Sequence, residues 1–164
     1  MKAVVVYESH WGNTGAIARE IAEGLGPGAR ALTTSEASGD VVADADLIVA
    51  GAPLMGFTLP TEAMHRSMVT NDAPFPPDMS QPSMRSWLEG LRPGHGRSAA
   101  FETRIRWSPG GAAPTIERSL EKAGYRPVAK AAKFVVKGKY GPLKDGERER
   151  ARAWGAELAR SIEK

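Results

Sequence analysis

The stretch Ser9-His10-Trp11-Gly12-Asn13-Thr14 places side-chain donors and a glycine directly before a helical spacing of apolar residues from Ile17 to Leu25. It follows a run rich in β-branched residues, Ala3 to Tyr7, that predicts a buried strand. The first amides of a helix lack intrahelical acceptors and carry the positive end of its dipole, so such a loop binds anions. Because the stretch contains no Lys or Arg, we expect amides and hydroxyls to hold a phosphate there. A simple helix-capping turn is the alternative.

Two other phosphate-binding motifs are absent from the sequence. There is no Gly-x-x-x-x-Gly-Lys-[Ser/Thr], which excludes a nucleoside-triphosphatase loop of that type. Gly12 is not followed by the glycines of a dinucleotide-binding fingerprint.

Strands and helices alternate along the whole chain. This predicts one α/β domain over residues 1–164, with helices on both faces of a parallel sheet. Prolines exclude a long helix between Ala52 and Gly96, where only Ser83 to Leu91 has helical spacing. The five predicted strands are Ala3 to Tyr7, Ala29 to Thr33, Asp46 to Gly51, a strand beginning at Ser98, and Ala131 to Val136.

Three loops are placed where ligands bind in open parallel sheets, beyond the carboxyl ends of the strands at the point where the strand order reverses. They follow the first, third and fourth strands. The second of these loops is Gly51 to Phe57, and the third is Phe101 to Gly111. Both have an unusual composition for simple connections.

The first loop resembles the phosphate loop of flavodoxins, Ser/Thr-x-Thr-Gly-x-Thr. Ser9, Gly12, Asn13 and Thr14 match it, whereas Trp11 replaces the usual Thr, so that only its amide carries over. The order of strands and helices agrees over essentially the whole chain. The resemblance implies a three-layer α-β-α sandwich with five parallel strands in the order 2-1-3-4-5, and a non-covalent flavin mononucleotide (FMN) at the switch point.

The resemblance also assigns the other two loops to the flavin ring. In the second loop, Leu54, Met55 or Phe57 would replace the usual aromatic residue on the inner face; an ordinary apolar turn is the alternative. In the third loop, Trp107 is the aromatic residue placed to stack, or else it packs on its own loop. The residues assigned to the flavin are Pro53, Leu54, Met55, Gly56, Phe57, Glu102, Thr103, Arg104 and Trp107.

Two arginines in the third loop have an electrostatic consequence for a bound flavin. A cation near the flavin N1 favours its anionic reduced form, so Arg104 and Arg106 predict a higher potential than that of low-potential carriers. The alternative is that both point to solvent.

The histidines and two further segments have no assigned contact with the flavin. His10, His65 and His95 are isolated in the sequence, which predicts no metal site. Gly138 to Leu143 is expected to be a turn on the far edge from the switch point. Asn71 to Pro82 is either a lid or partner surface beside the flavin, or an irregular crossover.

Composition restricts the remaining function classes. The chain has no cysteine, which excludes disulfides and thiolate chemistry. Its net charge of +3 comes from scattered Lys and Arg, so we expect no nucleic-acid binding. No apolar stretch approaches the ~20 residues of a membrane span, and a cytoplasmic location is expected.

These observations favour an FMN-binding redox protein that transfers electrons to or from a partner protein or a small electron acceptor. Whether it is an enzyme stays open; if so, it is an FMN-dependent oxidoreductase. The competing hypothesis is a flavin-free relative that acts as a binding or regulatory module.

Overall fold

A parallel β-sheet forms the middle layer of the computed structural model, which describes residues 1–55, 57–68, 73 and 75–164. All strand pairings in the sheet are parallel. The strands are β1 (Ala3–Tyr7), β2 (Ala29–Thr33), β3 (Leu47–Pro53), β4 (Arg97–Ile105), β5 (Arg126–Pro127) and β6 (Ala132–Val136).

The strand order β2-β1-β3-β4-β5 confirms the predicted order. A sixth strand adds to the expected five, because β5 and β6 both pair with β4. β5 aligns Arg126 with Arg97 at the start of β4, whereas β6 aligns Ala132 with Phe101 further along. The last edge position is therefore shared by two short segments of chain.

Six helices flank the sheet in the described part of the chain. Two of them, α2 (Gly39–Ala43) and α3 (Glu62–Ser67), are not among the predicted elements; Thr61 caps α3 by accepting a hydrogen bond from the Met64 amide at 3.2 Å. Such short helices contain too few residues to show a helical period in the sequence. The helices are α1 (Asn13–Leu25), α2 (Gly39–Ala43), α3 (Glu62–Ser67), α4 (Met84–Glu89), α5 (Ala113–Lys122) and α6 (Glu147–Glu163).

Two apolar cores cover the two faces of the sheet. Val5 faces α1 and α6, whereas Val4 and Val6 face the side of α4 and α5, as the alternation of a strand requires. Because both faces are covered, the central strands are apolar on both sides. α1 and α6 pack closely where Gly155 meets Ile21: a Cβ there would lie 2.2 Å from the Ile21 carbonyl oxygen.

None of the helices described here combines the length and the apolar character that crossing a bilayer requires.

Candidate functional site

A cleft of about 480 Å³ lies at the carboxyl ends of β1, β3 and β4. Its walls come from the three loops that follow these strands, and Met64 on α3 and Lys139 after β6 add to them. One concave surface therefore brings together residues from distant parts of the sequence. Nine of the predicted cofactor-binding residues line it: Ser9, Trp11, Asn13, Thr14, Pro53, Leu54, Met55, Thr103 and Arg104.

The N-terminus of α1 opens at the first loop. Gly12 precedes the helix with φ +91°, a left-handed conformation that glycine adopts without strain, and as the N-cap residue it has no side chain with which to cap the helix. The first intrahelical bond runs from the Ala16 amide to the Gly12 carbonyl, so the amides of residues 13–15 have no intrahelical acceptor. A Cβ on Gly12 would meet no atom within 4 Å. Among the residues that the structure describes, this helix end therefore has open space beside Gly12.

Ser9 carries a buried hydroxyl that lacks a hydrogen-bond partner among the residues that the structure describes. It borders both the cleft and a neighbouring cavity of about 180 Å³ that Gly12 also lines. A buried polar atom without a partner costs about 1–3 kcal/mol. An orphaned hydroxyl beside free helix amides fits a group with several acceptor oxygens, such as a phosphate.

Two side chains at the start of α1 are fixed by other segments. The hydroxyl of Thr14 lies 2.8 Å from the hydroxyl of Thr103 on β4, and both residues are buried. The side-chain amide of Asn13 donates to the Tyr140 carbonyl at 3.2 Å. These bonds hold the beginning of α1 against the third loop and the turn after β6.

The turn from Gly138 to Leu143 lies beside the cleft, so the expectation that it lies on the far edge from the switch point is wrong. Tyr140 contacts Trp11 edge-on, with ring centroids 4.7 Å apart, and Lys139 lines the cleft. The order of the strands does not predict this proximity, because it depends on the turn after β6 folding back towards the start of α1. A cation therefore borders the site although the first loop contains none.

Trp11 is held by a second segment as well. Its indole N–H donates to the Phe75 carbonyl at 3.2 Å. The indole thus connects the first loop to the proline-rich segment, of which residues 71, 72 and 74 lie outside the described part of the chain. The predicted lid, partner surface or crossover is therefore described only in part.

The second loop supplies apolar lining. Leu54 and Met55 are half-buried at the cleft, and the Leu54 amide donates to the Thr103 carbonyl at 2.8 Å. Phe57 is 65% exposed and has φ +75°, so its side chain stands at the surface. Gly56, predicted beside them, lies outside the described residues.

Glu102 is directed into the protein. Its Oε1 accepts hydrogen bonds from the amides of Ala112 and Ala113, at 3.0 and 3.1 Å, and its Oε2 accepts from Arg104 at 3.1 Å. The carboxylate thereby stabilises the N-terminal end of α5, where negative charge is favourable. With 0% exposure, Glu102 supports the third loop from beneath.

The two arginines of the third loop differ. Arg106 is exposed, but Arg104 is 8% exposed, lines the cleft and donates to Glu102 and to the Gly110 carbonyl. The alternative, that both arginines point to solvent, is therefore wrong for Arg104. Its charge is paired with a carboxylate, which reduces its field at the cleft. Trp107 is 81% exposed, and its stacking role stays a prediction.

Solved structures of flavodoxins share this architecture over nearly their whole length. A flavodoxin from the domain Archaea is 21% identical, with 100% of both chains covered and a TM-score of 0.72. Flavodoxin 1 from Bacillus cereus is 20% identical, with 98% of both chains covered and a TM-score of 0.65.

The fold is flavodoxin-like.

The flavodoxin-like fold also occurs within a larger structure. The rubredoxin oxygen:oxidoreductase from Desulfovibrio gigas is 19% identical, with a TM-score of 0.66; the match covers 99% of this chain and 36% of that one. No protein-family model matches this sequence, and no curated protein is significantly similar to it.

Glu8, His10 and His65 form a buried cluster next to the flavodoxin-like loops, so the expectation that the histidines are isolated is wrong for two of them. Glu8 Oε2 lies 2.6 Å from His10 Nε2 and 3.2 Å from His65 Nε2. Glu8 and His65 are 57 residues apart in the sequence, and only the docking of α3 beside the end of β1 brings them together. No spacing rule indicates such a contact.

The cluster shifts the pKa values of two of its members. Burial alone would raise the pKa of Glu8, but hydrogen bonds from His10, His65 and the Met84 amide outweigh it and lower the pKa to about 2. The hydrogen bond to Glu8 raises the pKa of His65 against the opposite effect of burial.

A larger cavity, of about 780 Å³, lies at the opposite end of the sheet. It is bordered by Met1, Asp46, Arg97 and Arg126, near the beginnings of the strands. None of the predicted cofactor-binding residues lines it, and the rule for ligand sites in flavodoxin-like sheets favours the carboxyl ends instead.

Proposed function

We propose that this protein binds FMN non-covalently in the cleft and acts as a flavin redox protein. The observation that carries the proposal is the unpartnered Ser9 hydroxyl beside the open N-terminus of α1. A phosphate needs several donors that point to one place, and this loop offers a hydroxyl and free amides in the described structure.

The surroundings fit the rest of such a cofactor. Ser9 and the first-turn amides would hold the phosphate, and Lys139 would add a cation at the cleft edge. Leu54 and Met55 would exclude water from the ring, while Thr103 would offer a hydroxyl to its polar edge. A bound flavin supplies reversible one- and two-electron chemistry, and the protein sets its affinity and electrostatics.

The net charge of the chain and its exposed aromatic residues influence which electron-transfer partners it can bind. The chain has a net charge of +3, which favours partners with acidic surfaces over basic ones. Phe57 and Trp107 are exposed aromatic side chains close in sequence to the cleft residues Met55 and Ser108, and Phe75 is exposed on the segment that Trp11 contacts. We infer that the partner is an acidic redox protein or a small electron acceptor. The cytoplasmic location and the class of oxidoreductase stay predictions.

A comparison of FMN with riboflavin tests the proposal. The flavins have the same ring, but riboflavin lacks the phosphate. Flavin-free protein is titrated with each, and the quenching of flavin fluorescence is measured. We expect FMN to bind at least about tenfold more tightly, because the phosphate contacts supply more than about 1.4 kcal/mol. Equal affinities would remove the phosphate assignment, and no binding of either flavin would remove the proposal.

The flavin-free binding module remains the second candidate because of Trp11. Where the flavodoxin pattern has a hydroxyl, this chain has an indole that packs on Tyr140 and donates to Phe75. If purified protein is colourless and FMN leaves its thermal unfolding unchanged, this second function is favoured.

A further inference from the structure

The cluster of Glu8, His10 and His65 joins three donor atoms of metal-ligand type. Glu8 Oε2, His10 Nε2 and His65 Nε2 all lie within 4.8 Å of one another. Bonds of about 2.1 Å at angles near 90–109° place neighbouring ligand atoms about 3–3.4 Å apart. The Glu8–His65 separation of 3.2 Å has this value, and the Glu8–His10 separation of 2.6 Å needs to widen only slightly.

Hydrogen bonds to the backbone orient His10 and Glu8, and such bonds commonly orient the ligands of a metal ion. His10 Nδ1 lies 2.9 Å from the Asp78 carbonyl oxygen, which requires an N–H at Nδ1 and directs Nε2 towards Glu8. The other oxygen of Glu8, Oε1, accepts from the Met84 amide at 2.6 Å, so Oε2 faces the histidines. A metal-binding histidine commonly donates its second ring N–H to a backbone carbonyl in this way.

The cluster is also protected from solvent without being closed. Glu8 is 1% exposed, His10 5% and His65 8%. His10 lines the cleft, which gives an ion a route to the three donor atoms.

We propose that Glu8, His10 and His65 form a binding site for one divalent transition-metal ion. Two imidazoles and one carboxylate match the preferences of Zn²⁺, Co²⁺ and Fe²⁺, and three protein ligands leave at least one coordination position open. The ion would replace the direct hydrogen bonds between the three side chains. This site does not depend on flavin binding.

Cobalt and zinc serve as probes on tag-free, full-length protein. Co²⁺ is added at pH 7.5, and its visible absorption beyond the flavin bands and the heat of binding are followed. We expect one ion per chain in the wild type. His65→Ala should weaken binding by at least about tenfold, since one of three ligands is lost. The matched control is His95→Ala, which removes the exposed third histidine, outside the cluster, and should bind as the wild type does.

A measurement on the unaltered protein covers the case in which His65→Ala does not fold. Zn²⁺ is titrated into ¹⁵N-labelled wild-type protein, and the imidazole nitrogen resonances are recorded. We expect those of His10 and His65 to move, with a stoichiometry of one, while those of His95 stay in place. No shift at 1 mM Zn²⁺, or equal shifts of all three histidines, would show that the cluster is an internal ion pair only.

Discussion

The hydroxyl of Thr14, in the first turn of α1, lies 2.8 Å from the hydroxyl of Thr103, on β4. This bond joins the first and third loops of the cleft beneath the open helix end. The backbone of Thr103 takes part as well, because its carbonyl accepts from the Leu54 amide at 2.8 Å. Thr103 therefore contacts both of the other loops that form the candidate site.

Replacing Thr103 by Val removes the hydroxyl and keeps the shape. The Thr14 hydroxyl then loses its partner, and we expect a loss of about 1–2 kcal/mol in the free energy of unfolding, measured in urea. FMN affinity should fall as well, because the start of α1 is less firmly held. Thr115→Val on α5 is the control, since its hydroxyl makes only a 3.4 Å contact with Arg118. Equal effects of both variants would contradict this role.

Replacing Ser9 by Ala should change the affinity for FMN without lowering the stability of the flavin-free protein. The Ser9 hydroxyl has no partner in the described structure, so its removal should leave the flavin-free protein as stable as before or more stable by up to about 1 kcal/mol. The variant should bind FMN about five- to tenfold more weakly, but riboflavin unchanged. Fluorescence titration and urea unfolding measure the two effects.

Ser98 offers a matched control for that prediction. Its hydroxyl is also buried and without a partner among the described residues, but it lies near the start of β4, away from the cleft. Ser98→Ala should have a similar effect on stability and none on FMN affinity. If both serine variants weaken FMN binding equally, Ser9 does not contact the phosphate.

Replacing Glu102 by Gln leaves Arg104 buried without its counter-charge. Removing one member of a buried ion pair costs about 3–5 kcal/mol, and the α5 end also loses a favourable negative charge. We expect the free energy of unfolding to fall by about 3 kcal/mol and, with FMN bound, the reduction potential to rise. Spectroelectrochemistry measures the potential. An unchanged potential would show that Arg104 does not act on the flavin.

Replacing Glu147 by Gln tests an electrostatic contribution outside the site. Hydrogen bonds from the Arg150 side chain and from the Val135 amide lower the pKa of Glu147 below its ordinary value of 4.5. They outweigh burial, which alone would raise this pKa. A carboxyl whose pKa is lower when folded stabilises the protein above its unfolded pKa and loses this effect as the pH falls through its folded pKa. The wild type should therefore be more stable than the variant at pH 7, by about 1 kcal/mol, because the Arg150 side chain is 50% exposed and solvent screens the ion pair.

The same comparison at lower pH shows in which direction the stability difference changes with pH. The stability difference between the wild type and Glu147→Gln should shrink as the pH falls below 4.5. Glu163→Gln, an exposed position at the end of α6, should show little difference at any pH. A difference for Glu147→Gln that grows on acidification would contradict the assigned cause.

Local features of the sequence were sufficient for the main elements and their order. The run from Ala3 to Tyr7 and the glycine-containing loop after it predicted β1, the turn and α1, because burial on both faces and free helix amides depend on nearby residues only. α2 and α3 were missed because five or six residues are too few to show a helical period. β5 was missed because two residues are too few to form an alternation.

By itself, the sequence determined the alternation of strands and helices, the apolar central strands and the glycine at the start of α1. These follow from side-chain periodicity and from conformations that a single residue type permits. The tertiary structure alone decided which distant side chains meet: His65 with Glu8, and Tyr140 with Trp11. Such contacts depend on how helices and turns dock on the sheet, and their energies exist only when the partners have left water together.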